Sequence, residues 1–256
     1  MTKPAVPTLQ RQGSRFYVHP ARQTKAPSVT SIVGCLPKPA LKWWAGKVVA
    51  QCAVDDISMI LDLLLKGNEQ AAVDHLKRAP GRSSGVAAQT GTDVHGLIED
   101  LNKGKDIGRV HPLLEPYIDT YRQFLDDFKP EVLEAECTVW SDEHTYAGTL
   151  DAIYKIDNEV VLVDAKTGAS GIWPDAALQA VAYARADFIL DPDGTERPLP
   201  PIESAAALHI RPEGYELIPL RIDGDVFEIY KSLLTVATWE RELSKTVVGQ
   251  PVNPNQ

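Results

Sequence analysis

Apolar residues fall at helical spacing through the first half of the chain and shorten into alternating or continuous runs in the second. Leu114, Tyr117, Ile118, Tyr121, Phe124, Leu125 and Phe128 trace one face of a helix over 112–128. An aromatic stripe of that width reads as core rather than as a surface on which bases stack. Val94, Leu97, Ile98 and Leu101 repeat the spacing within 83–102, and further helices are predicted over 39–66 and 69–77. The longest apolar region, 48–65, is interrupted by Gln51, Asp55, Asp56 and Asp62, so it reads as an amphipathic helix and not as a membrane span.

From residue 131 the period changes. A strand is predicted over 131–140, and near-strict alternation over 150–157 and the apolar run Val160-Val161-Leu162-Val163 give two more. The Asp157-Asn158 pair between the last two reads as a hairpin turn. Trp173-Pro174 then opens an alanine-rich helix that runs to Ala184. Ser204–Arg211 and 215–222 read as a second hairpin about Pro212-Glu213-Gly214, followed by a final helix over 225–245. Residues 1–27 are polar and Pro-containing, with only Arg15-Phe16-Tyr17-Val18 suggesting a strand, so an arm that packs partially is expected. The pattern predicts one mixed α/β domain over 28–250, mainly helical over 28–128 and sheet-based over 129–250, with a tail at 251–256.

The hairpin turn brings chemistry with it. Asp151 lies seven residues before Asn158 and Asp164 six after it, so pairing sets the two carboxylates nearly opposite each other. Facing carboxylates repel unless a positive charge lies between them, and a hard divalent cation, Mg²⁺ or Mn²⁺, suits such oxygen ligands. Lys166, two residues beyond Asp164, points to the same face of the strand. An ammonium there can orient or deprotonate a water and stabilise charge building on a phosphate. An isolated D-x-K is most often a solvated surface pair. Here Asp164 and Lys166 end an apolar run, and charged groups beside a core need partners. Gln179 and Tyr183, four apart on the following helix, share one face.

Gly148-Thr149-Leu150-Asp151, Asp164-Ala165-Lys166 and Gln179-Ala180-Val181-Ala182-Tyr183 resemble, in order and spacing, three motifs of one family. These are the G-x-x-D, D/E-x-K and Q-x-x-x-Y motifs of the RecB-type branch of the PD-(D/E)xK nuclease superfamily, which includes phage exonucleases and CRISPR-associated exonucleases. Thr92-Asp93-Val94-His95-Gly96 looks like the family's upstream helical element with a metal-binding histidine, and 28–45 looks like the amino-terminal segment of phage members. The resemblance implies a restriction-endonuclease-like core, with a central mixed sheet flanked by helices and an amino-terminal helical part. It implies Mg²⁺ or Mn²⁺ held by His95, Asp151, Asp164 and the Ala165 carbonyl, with Lys166 activating water. By the same resemblance Gln179 supports the site and Tyr183 contacts the nucleic-acid strand. An acid on the 131–140 strand is also implied; Glu136 is the candidate there, beside Glu134, and Glu99, one turn beyond His95, is a further candidate for facing the pocket.

The implied activity is metal-dependent DNA exonuclease action in phage or bacterial recombination, repair or processing. Its substrate would be a DNA end, with an annealing protein, a helicase or further copies of the chain as candidate partners. Two alternatives stay open: an endonuclease, and an accessory DNA-binding protein that keeps the fold without turnover. A hydrolase of other phosphate esters is less attractive, because no H-x-H-x-D or H-E-x-x-H cluster is present.

Charge complicates the picture, since 26 basic against 35 acidic residues give a net −9. A bound cation and a local basic groove can coexist with an acidic surface, although tight sequence-independent duplex binding is not expected. Lys38, Lys42, Lys47, Arg78, Arg82 and Lys103 are the groove candidates, and of Trp43 and Trp44 one is expected to be buried and the other to offer a stacking surface. Cys35, Cys52 and Cys137 are too few for the four-cysteine iron-sulfur cluster of some family members. Their scatter argues against a disulfide framework and for a reducing compartment. With no apolar leader read at the amino terminus, a cytoplasmic protein without membrane contact is expected.

Overall fold

The computed structural model describes residues 4–252, so most of the expected 251–256 tail lies outside the described residues. Two compact units make up the chain, Pro37–Asp93 and a larger unit of 4–36 with 94–252. The larger unit opens with an antiparallel sheet of β1 (Thr8–Arg11), β2 (Ser14–Val18) and β3 (Lys25–Pro27). Val6, Tyr17 and Ala26 are buried together with Trp140, Ala147 and Leu190, so this segment is a docked sheet where a partly packed arm was expected. Its partners lie more than a hundred residues away, which local composition does not reveal. Helix α1 (Val29–Val33) follows, with the Ser28 hydroxyl accepting from the Ser31 N–H as its cap.

The smaller unit contains α2 (Pro39–Asp55), α3 (Ile57–Leu65), α4 (Glu69–Lys77) and the first part of α5 (Ala79–Asn102). The single helix expected over 39–66 is broken at Asp56, whose backbone leaves the helical region (φ −102°, ψ 21°) and whose carboxylate reaches His75. Asp disfavours helix interiors because its side chain competes for polar partners, and here a tertiary partner is supplied. Neither Trp43 nor Trp44 is buried, at 82% and 37% exposure, against the expectation that one would be.

In the larger unit the chain continues through α6 (Glu115–Phe128), β4 (Glu131–Ser141), β5 (Tyr146–Ile156), β6 (Glu159–Lys166) and α7 (Asp175–Ala184). Strands β7 (Phe188–Leu190), β8 (Glu196–Pro198), β9 (Ser204–Arg211) and β10 (Gly214–Leu220) and helix α8 (Gly224–Arg241) complete it. A seven-stranded sheet runs in the order β10-β9-β6-β5-β4-β7-β8, antiparallel except at the parallel β6–β9 pair. That pair requires a crossover, and α7 lies within it.

Helices flank the sheet on both faces, as the mixed α/β pattern predicts. Leu162 packs with α1, α7 and α8 through Ile32, Val181 and Tyr230, while Val161 and Val163 pack with α5 and α6 through Ile98, Tyr121 and Phe124. The aromatic stripe of α6 is thus core. Among the described residues, no helix is long and apolar enough to cross a membrane.

Candidate metal-dependent active site

Asp157 and Asn158 both adopt the left-handed backbone (φ 48° and 72°), the conformation that a two-residue hairpin with right-twisted strands requires. Ile156 therefore pairs with Glu159, and the ladder runs to Ala152 opposite Val163. One residue further, the same register sets Asp151 against Asp164. Alternation slips at this point: Leu150 and Ile153 belong to one core, and Ala152 and Tyr154 to the other. On the neighbouring strand, opposite Asp151 in register, Glu136 has a left-handed backbone (φ 50°). A non-glycine residue held there stores about 1 kcal/mol or more, and such strain concentrates at functional sites.

These irregularities gather the polar groups. Asp151 Oδ2 accepts the Ala165 N–H at 2.7 Å and faces His95 Nδ1 of α5 at 3.5 Å. Donor atoms of His95, Glu136 and Asp151 all lie within 4.8 Å of one another. Asp164 is 5% exposed at its side chain and forms an ion pair with Lys166, which is 35% exposed. Gln179 Nε2 reaches Asp164 Oδ1 at 3.5 Å and donates to the Tyr183 hydroxyl at 3.0 Å.

The charges shape one another. Burial opposes ionisation of Asp151, yet His95, Lys166 and the Ala165 N–H hold its carboxyl below the ordinary value. Burial pushes Asp164 upward, and the Asp151 charge adds to that against the pull of Lys166. Burial alone would lower His95 and Lys166, but the two aspartates keep both above their ordinary values. His95 and Lys166 thus supply the polar partners that the two buried carboxyl groups need near the core.

The donor set fits a divalent cation. Asp164 Oδ2 is buried, and among the described residues its partner is the Lys166 ammonium. Carboxylates with one imidazole suit Mn²⁺ and, through the oxygens, Mg²⁺. Among the described residues, His95, Glu136 and Asp151 are the ones brought close enough to share a cation, and Asp164, expected as a ligand, is not in that group and is paired with Lys166 instead; for Ala165 the observed contribution is its N–H on Asp151. Glu99 is engaged elsewhere, in an ion pair with Lys103 at 2.6 Å, and Glu134 accepts from Nη1 and Nη2 of Arg197, at 2.7 and 3.1 Å.

The expected contact of Tyr183 with a nucleic-acid strand is not compatible with its position. Tyr183 is 2% exposed and lies over Gly148, where an added Cβ would come within 2.4 Å of its ring. Tyr183 instead fixes Gln179, and Gln179 faces Asp164. The glycine of G-x-x-D is thereby explained as the floor for this ring. Gly148→Ala is expected to destabilise the fold by about 1–3 kcal/mol through overpacking, read as a fall in Tm of about 2–4 °C per kcal/mol. An unchanged Tm would show that the ring is not confined there.

Two residues absent from the sequence reading hold the end of β6 in place. His209 bonds the Gly168 carbonyl through Nε2 at 2.7 Å, and Arg211 donates to the Thr167 carbonyl at 2.9 Å. Their register beside Lys166 on the parallel β9 was the available signal, but it emerges only from the crossover. Glu136 offers a further test. Asn tolerates the left-handed backbone, so Glu136→Asn is expected to leave stability unchanged or raise it by up to about 1 kcal/mol while weakening Mn²⁺ binding. Loss of stability with unaltered Mn²⁺ affinity would assign Glu136 a purely structural role.

No protein-family model matches the chain, and no curated protein matches it.

Proposed function

We propose that the protein is a Mg²⁺- or Mn²⁺-dependent DNA nuclease of the PD-(D/E)xK type, degrading DNA from an end. The observation that carries this reading is the pairing of Asp151, midway along β5, with His95 and of Asp164, near the end of β6, with Lys166. A divalent cation bound there supplies Lewis acidity and a more acidic water. Asp151 and Asp164 provide anionic ligands already held by the Ala165 N–H and by Gln179. Lys166 holds its proton while paired with Asp164, and can then stabilise charge on a phosphate oxygen. A cation that drew on the Asp164 carboxylate would leave the ammonium without that partner, and Lys166 would then give up its proton more readily.

The preference for DNA ends rests on resemblance to the phage and CRISPR-associated exonucleases, with recombination or repair as the setting and an annealing protein or helicase as candidate partner. The test is digestion of end-labelled linear and covalently closed circular DNA, single- and double-stranded, with Mg²⁺, Mn²⁺ or EDTA. Metal-dependent loss of linear DNA alone supports the exonuclease. Cleavage of circles indicates an endonuclease, and binding without cleavage of any form indicates an accessory protein.

A further inference from the structure

Cys52, near the end of α2, Asp56, at the α2–α3 break, and His75, on α4, converge within the smaller unit. Cys52 Sγ is 3.3 Å from Asp56 Oδ2 and 3.5 Å from His75 Nε2, and that same Nε2 is 2.6 Å from Asp56 Oδ2. A nucleophilic relay would use opposite imidazole nitrogens, one toward the thiol and the other toward the carboxylate. Here both partners meet one nitrogen, which is how three donors arrange around a common centre.

The dimensions agree. A tetrahedral zinc ion, with ligands at about 2.0–2.3 Å, separates its donors by about 3.3–3.6 Å. Two edges of the observed triangle match that, and the nitrogen–oxygen edge needs to open by less than 1 Å. The ligand types select the metal: a thiolate and an imidazole favour Zn²⁺ over Mg²⁺, which takes oxygen ligands. Arg82 Nη2 lies 3.5 Å from Cys52 Sγ and 3.4 Å from His75 Nε2. It is an exposed side chain that also donates to the His75 carbonyl through Nη1 at 3.0 Å, and it can swing aside on its flexible stem.

A second observation gives the site a purpose. The apolar residues buried in the smaller unit, among those described, are Ile60, Ala72 and Ala79, and α2 buries none. A small helical unit with so thin a core needs a staple, and structural metal is a usual one. From these two observations we propose that Cys52, Asp56 and His75 bind a zinc ion that ties α2 and the α2–α3 junction to α4, leaving one coordination position for water or a partner's ligand. This site is separate in residues and ligand chemistry from the Asp151–Asp164 site and does not depend on the nuclease reading.

The test uses the full chain, stripped with a chelator and titrated with Co²⁺ and then Zn²⁺. Sulfur ligation to Co²⁺ gives a near-ultraviolet charge-transfer band that a histidine–carboxylate site cannot produce. The expected result is a band saturating at one equivalent, bleached by Zn²⁺, insensitive to excess Mg²⁺, retained in Asp151→Asn and lost in Cys52→Ser. Zn²⁺ should raise the Tm of Asp151→Asn but not of Cys52→Ser. If Cys52→Ser fails to fold, His75→Gln makes the same comparison, with a weakened and shifted band expected. Absence of the band in folded wild-type protein overturns the proposal, as does a band unaltered by either substitution.

Discussion

Replacing Lys166 with alanine is expected to lower DNA cleavage by about 10³-fold or more while leaving Mn²⁺ affinity equal or higher. The rate loss follows from removing the ammonium paired with Asp164. The affinity expectation comes from competition, because in the metal-free protein Lys166 occupies the carboxylate that a cation would use. Alanine removes that competitor, so calorimetry with Mn²⁺ should show binding at least as tight as in wild type. Some stability should be lost, since Asp164 is then left buried without a counter-charge, and its carboxyl should rise further. Added Mn²⁺ should restore that stability. Cleavage close to the wild-type rate would remove Lys166 from the mechanism, and a large drop in Mn²⁺ affinity would make it a structural part of the metal site instead.

The second large effect is expected for Asp151→Asn. Asparagine keeps an oxygen for the Ala165 N–H but removes the charge, so it separates metal binding from strand geometry. Mn²⁺ affinity should fall by about 100-fold or more, beyond what loss of an outer partner usually produces. His95 reports the same charge independently. Its raised pKa depends on Asp151 once burial is overcome, so the substitution should lower it, as imidazole titration by NMR would show. An unmoved His95 pKa would mean that the 3.5 Å pair is not formed in solution.

The pair also predicts a pH window for the metal-free protein. Asp151 is depressed below 3.8, so its contribution is present above that value and is lost as pH falls through the folded pKa. His95 is raised above 6.5, so its contribution is full below 6.5 and is lost as pH rises through the folded pKa. The stability difference between wild type and Asp151→Asn should therefore be greatest from about pH 4 to 6.5 and shrink toward alkaline pH. Denaturant unfolding across that range measures it, and a flat difference would contradict the ion pair.

The sequence by itself determined the local elements and the approach of the two carboxylates. Asp157-Asn158 is a turn because both residues tolerate a left-handed backbone, and a two-residue turn leaves a single register for the strands beside it. The register sets Asp151 against Asp164, and helical period sets Gln179 beside Tyr183. Ser204–Arg211 and 69–77 were legible for the same reason, because each is long enough for its apolar pattern to repeat.

What lay outside such windows was decided by tertiary structure. Strands β7 and β8, of three residues each, are too short for a period; β7 exists because β4 offers an edge, and β8 because β7 then offers the next. The break at Asp56 depends on His75, and the burial of Tyr183 depends on Gly148, thirty-five residues earlier. Glu136 takes a left-handed backbone inside a strand, against its local preference, beside Asp151 and His95. Local propensity amounts to tenths of a kcal/mol per residue, and packing and charge pairing among distant residues amount to several, so where the two conflict the distant contacts prevail.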